Sequence, residues 1–85
     1  MGSLRVFNLN VYSLNSSVPS GTDTTLFTLS NSSDFPKSAI YSAGITAING
    51  IRFNASVSQT GKIAINPSST ISTADQIRMF IVYLV

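Results

Sequence analysis

The carboxy-terminal stretch Ile77-Arg-Met-Phe-Ile-Val-Tyr-Leu-Val85 constrains this chain more than any other segment. Side chains alternate across a strand, so Ile77, Met79, Ile81, Tyr83 and Val85 share one face while Arg78, Phe80, Val82 and Leu84 share the other. Beyond Arg78 both faces are apolar. An antiparallel sheet ordinarily gives one face to water, so a doubly apolar strand needs cover on both sides. A chain of 85 residues has room for one core only. The expected second cover is a neighbouring subunit, with Phe80, Ile81, Val82, Tyr83 and Leu84 as the oligomer contact. The alternative is a central strand whose outer face is closed by a long loop. The first strand repeats the pattern more weakly. Arg5, Phe7, Leu9 and Val11 share one face; Leu4, Val6, Tyr12 and Leu14 share the other, with Asn8 and Asn10 between.

The rest of the chain reads as further short strands separated by turn clusters. Thr24–Leu29, Ala39–Ser42, Ile45–Ile48, Ile51–Val57 and Lys62–Asn66 carry the strand composition and alternation. Breaks fall at 15–22, 30–37, Ala43-Gly44, Asn49-Gly50, 59–62, 67–70 and 73–75, each rich in Ser, Asn, Gly, Pro or Asp. Asn49-Gly50 is the favoured pair for a type I′ hairpin, whose two central residues need positive φ. Helix periodicity is missing, and so is Glu. The expected fold is all-β: a small antiparallel β-sandwich, or a Greek-key or jelly-roll-like barrel, of about seven to eight short strands. Residues 1–3 are read as a cloning remnant or a disordered start, and residues 4–85 as a single β domain.

Composition removes several function classes. Cys, His and Glu are all absent, and the only carboxylates on side chains are Asp23, Asp34 and Asp75. Neither a disulfide nor a metal staple is expected, and no metal or other cofactor. A domain of this size is marginal alone, so a partner subunit is the remaining staple. General acid–base chemistry at neutral pH relies on His, Glu or an Asp pair. A non-enzyme is therefore expected, and each Asp is read as a turn or cap residue. A carboxylate pair formed across a subunit interface is the one catalytic route left open. Five cations, Arg5, Lys37, Arg52, Lys62 and Arg78, are too few and too scattered to track a nucleic-acid backbone. No apolar run reaches the length of a membrane-spanning helix, so no membrane insertion is expected.

What the composition favours is recognition of neutral polar ligands. Ser, Thr and Asn together supply 30 of the 85 residues, while charged residues are only 9%. Sugars are held by convergent donors and acceptors beside an apolar platform. The densest mixture is the loop Asn31-Ser-Ser-Asp-Phe-Pro-Lys37 with Tyr41 just beyond it. Asn31, Asp34, Phe35 and Tyr41 are candidate ligand-binding residues, joined by Arg52 and Asn54 from the polar face of their strand. The competing reading is a solvated loop whose Phe35 turns into the core.

Val18-Pro-Ser-Gly-Thr-Asp-Thr-Thr-Leu-Phe-Thr-Leu29 resembles early strands of the C-terminal head domains of phage receptor-binding and tail-fibre proteins. The segment Gly61–Val85, ending on Tyr83-Leu84, is similar to their closing strands. The resemblance implies a homotrimeric head at a fibre tip or baseplate, on the extracellular side of a virion, contacting host cell-wall saccharide. It also implies that the chain is a fragment of a longer fibre or a very short tip protein. A trimerisation cap or virion decoration module without a ligand is the alternative. No binding residue is carried over from the resemblance.

Overall fold

The computed structural model describes residues 3–11 and 14–85. Met1, Gly2 and Tyr12 lie outside the described residues, and with them part of the expected 1–3 remnant and of the first strand's outer face. Among the described residues six strands form: β1 (Leu4–Val11), β2 (Thr24–Thr28), β3 (Ile40–Ile45), β4 (Arg52–Val57), β5 (Lys62–Pro67) and β6 (Ile77–Leu84). One 3₁₀ turn, Ser32–Asp34, follows β2. Among the described residues there is no α-helix, so the small all-β fold read from the alternation is the fold observed.

The strands form two antiparallel sheets. β1 pairs with β6 as a two-stranded ribbon, and the other four run in the order β2-β5-β4-β3. In the larger sheet β3, β4 and β5 are sequential neighbours while β2 lies beside β5, which is a Greek-key order. Both sheets turn their apolar faces to one core. Ile63 and Ile65 of β5 and Phe53, Ala55 and Val57 of β4 meet Ile77, Met79, Ile81 and Tyr83 of β6, with Val18 and Ile71 bridging beside them. Each large aliphatic or aromatic side chain fully buried here contributes about 1.5–3 kcal/mol.

Three local expectations are corrected. Ala39–Ser42 and Ile45–Ile48 are not two strands; β3 runs unbroken through Ala43-Gly44 to Ile45. Gly44 lies opposite Phe53, whose ring packs over it so closely that a Cβ at Gly44 would sit 2.5 Å from the ring. The glycine is thus a packing site for an aromatic and not a turn. Nor is Asn49-Gly50 a type I′ turn. Gly50 has φ of 67°, but no non-glycine residue described has positive φ. The connection is instead a longer loop, closed by Thr46 N–H to the Ile51 carbonyl (2.9 Å) and by Ile51 N–H to Thr46 Oγ1 (2.9 Å). Pro67, expected in a loop, ends β5 opposite Phe53. Its missing N–H is harmless at the end of a strand, and its carbonyl accepts from Gly21 N–H.

β6 shows strict alternation. Ile77, Met79, Ile81 and Tyr83 are buried, while Phe80, Val82 and Leu84 face outward. Ile81 and Tyr83 therefore belong to the chain's own core and not to an outer contact. Tyr83 stacks on Phe7 of β1 at 5.8 Å between ring centres, and its hydroxyl donates to the Asp34 carbonyl. Burial, and next the nearby Asp34 carboxylate, push the Tyr83 phenol above its ordinary pKa. The ribbon register sets Leu84 opposite Leu4, Val82 opposite Val6, Phe80 opposite Asn8 and Arg78 opposite Asn10. Leu4, Val6, Phe80, Val82 and Leu84 are each 53–64% exposed, and no described loop covers them. The outer ribbon face is thus a continuous apolar strip at the Leu4–Leu84 end, giving way to amides and Arg78 at the other.

Candidate ligand-binding site

The polar positions of β3, β4 and β5 alternate with their core positions, so they gather on the outer face of the larger sheet. The register sets Ala43, Asn54 and Asn66 in one cross-strand row and Tyr41, Ser56 and Ala64 in the next. Tyr41 is 79% exposed. A shallow groove of about 290 Å³ runs between Tyr41, Asn54, Ser56, Asn66 and Asp23. A larger open groove of about 660 Å³ adjoins it, with Ala43, Ile45, Arg52 and Ser68 on its walls. Asn54 and Asn66 line both grooves and form the divide between them.

The donor and acceptor set is almost uncharged. Asn66 Nδ2 donates to Asp23 Oδ1 at 3.0 Å, which fixes one amide by its neighbouring carboxylate. That leaves the Asn66 carbonyl, the Asn54 amide and the Ser56 hydroxyl facing the grooves, with Arg52 at one end and Asp23 at the other. An exposed phenol ring beside amides and hydroxyls supplies both a stacking surface and hydrogen bonds. This combination suits a polyhydroxylated ligand, whose ring C–H face is apolar and whose rim is not.

The six candidate residues divide. Tyr41, Arg52 and Asn54 are brought to this face. Asn31, Asp34 and Phe35 line neither groove. Asn31 caps the 3₁₀ turn, its Oδ1 accepting from Ser33 N–H at 3.0 Å and from Ser33 Oγ at 2.8 Å. Asp34 pairs with Arg5 of β1 at 2.6 Å and receives Tyr83 through its carbonyl, so this turn ties the large-sheet side to the ribbon. Phe35 lies against Gly61, where a Cβ would collide with its ring, and packs on the core. Those three residues brace the fold. Asn66, Ser56 and Asp23 are the groove residues that sequence reasoning missed. The signal for Asn66 was its polar position within an apolar strand, but only the β4–β5 register places it beside Asn54.

Asp75 is the other functional-looking carboxylate, and its chemistry is structural. It is 0% exposed and accepts N–H bonds from Ile48 (2.9 Å), Asn49 (3.3 Å) and Gln76 (2.8 Å). Burial by itself would raise its pKa. The Thr46 side-chain bond and the backbone bonds from Gln76, Ile48 and Asn49 outweigh burial and hold it down at about 2. Asp75 therefore clamps the β3–β4 loop onto the segment entering β6, where Ala47 N–H also bonds the Gln76 carbonyl.

Among the described residues no group of three or more His, Cys, Asp or Glu side chains gathers as a metal site, and no helix is long and apolar enough to cross a membrane. Comparison of the chain with protein-family models, with curated proteins and with solved structures gives no match.

Proposed function

We propose that this chain is the receptor-binding head of a phage tail fibre or baseplate. In this reading it is a homotrimer that holds host cell-surface saccharide on the outer face of the β2-β5-β4-β3 sheet and performs no catalysis. The observation that carries the reading is the exposed Tyr41 ring set beside Asn54, Ser56 and Asn66 in an almost uncharged groove. The sequence resemblance of residues 18–29 and 61–85 to such heads supports the same direction. Assembly is assigned to the outer ribbon face, because Leu4, Val6, Phe80, Val82 and Leu84 form an apolar strip of the kind that marks interaction surfaces. The position of the head at the extracellular end of a virion follows from that role.

The test is titration of the purified chain with host cell-wall oligosaccharides, alongside the Tyr41→Ala variant. Saturable binding weakened by about 1–3 kcal/mol in the variant is expected, in the range for loss of an aromatic anchor. Equal affinity of the two proteins refutes the assignment of this face. A second reading, a trimerisation cap or decoration module with no ligand, is favoured by the ribbon strip alone. Stable self-association with no response to any glycan selects it.

A further inference from the structure

The seven asparagines of this chain are not chemically equivalent. Deamidation proceeds when the following backbone nitrogen attacks the asparagine Cγ. Ammonia leaves, a five-membered succinimide forms, and water then opens it to aspartate or isoaspartate. The reaction needs a following N–H that is free to lose its proton, and it is fastest where the next residue has no Cβ to obstruct the ring. Asn66 precedes Pro67, whose nitrogen carries no proton. Asn8, Asn10 and Asn54 lie within strands and precede residues with side chains. Asn31 is immobilised, its carbonyl oxygen taken by Ser33. Asn15 precedes Ser16. Asn49 alone precedes a glycine; both residues are exposed, and the Gly50 N–H has no hydrogen-bond partner among the described residues.

We propose that the Asn49–Gly50 peptide is a spontaneous modification site, at which deamidation converts Asn49 to isoaspartate or aspartate and loosens the β3–β4 loop from its Asp75 clamp. The observation that gives the modification a consequence is the position of Asp75. Its carboxylate holds the Ile48 and Asn49 N–H groups. Isoaspartate adds one methylene to the main chain between residue 49 and Gly50, inside a loop closed at Thr46 and Ile51. Either product adds a negative charge beside a buried carboxylate that has no cation in its hydrogen-bond shell. Both changes act against the same bonds. The loop leads directly into Ile45 and Arg52 at the rim of the larger groove, so the effect reaches the face described above.

The experiment ages the full chain at mildly alkaline pH, where loss of the Gly50 N–H proton is favoured, and follows it by peptide mass mapping and thermal melting. A free peptide covering residues 45–52 and the Asn49→Ser variant run in parallel. The expected result is a gain of about one dalton confined first to the 49–50 peptide. A second melting transition, lower by about 5–10 °C, should grow with it. The Asn49→Ser chain, which lacks the amide, should show neither change. Mass gain appearing first at Asn15 or Asn31 overturns the proposal. So does an Asn49 that stays intact while the free peptide converts, or a fully converted chain that melts as the fresh one does.

Discussion

Asp75 offers the sharpest quantitative test of how this small fold is held together. Its pKa is displaced from 3.8 to about 2 by the hydrogen bonds of Thr46, Gln76, Ile48 and Asn49, against the opposing effect of burial. A displacement of that size corresponds to about 2 kcal/mol. The folded pKa lies below the unfolded one, so the unfolded chain takes up the proton first as pH falls. The contribution is fully present above about pH 5, declines through the interval between 3.8 and about 2, and is gone below it. At neutral pH the Asp75→Asn change keeps the shape but puts an amide nitrogen among N–H donors. Leaving buried donors unpaired costs about 1–3 kcal/mol, which for a domain of this size lowers the melting temperature by about 4–8 °C per kcal/mol. Urea unfolding of both proteins at pH 7, 4 and 2 measures the two effects together. The wild-type chain should lose about 2 kcal/mol more than the variant across the acid range, so that their stabilities converge near pH 2. Parallel pH profiles would rule out this role for Asp75, because they would mean that the carboxylate contributes nothing that its protonation removes.

Further outcomes follow from neighbouring positions. Ile81→Asp buries a charge in the core and should abolish folding, whereas Val82→Asp on the opposite face should leave the circular-dichroism spectrum intact and reduce only self-association. Gly44→Ala forces a Cβ to within 2.5 Å of the Phe53 ring and should destabilise by about 1–3 kcal/mol in denaturant titration. Arg5→Ala removes a partly exposed ion pair to Asp34, and less than about 1 kcal/mol of stability should go with it.

The alternation of β4, β5 and β6 was legible from sequence because one face of each strand is buried and the period of two leaves no choice of face. The same reasoning marked the last strand as apolar on both sides, and among the described residues nothing covers its Phe80, Val82 and Leu84 face. It could not say which of the two faces of that strand turns inward, which is why Ile81 and Tyr83 stood beside Phe80 as contact residues. Which apolar face is inward depends on the pairing with β1, a partner some 70 residues away in sequence. Gly44 misled for a related reason: a glycine marks a turn in a local reading, and only the cross-strand Phe53 shows that it is a seat for a ring. At Asn49 the hairpin rule gave way to a long-range clamp, since Asp75 holds the loop's N–H groups in another arrangement. The binding face was half legible. Tyr41, Arg52 and Asn54 show themselves as exposed positions on strands, whereas Asn66 and Asp23 join them only through register. The loop at 31–37 has a ligand-like composition, yet its side chains are occupied in capping the turn, pairing with Arg5 and filling the space at Gly61.

In the proposed homotrimer the apolar strip on the β1–β6 ribbon is shared between copies of this chain. Light scattering of the wild-type chain and of Val82→Asp tests it directly. The wild type should scatter as a particle three times the 9.0 kDa chain, and the variant should fall to a single chain while staying folded. A wild-type protein that remains a soluble 9.0 kDa particle at high concentration would contradict it.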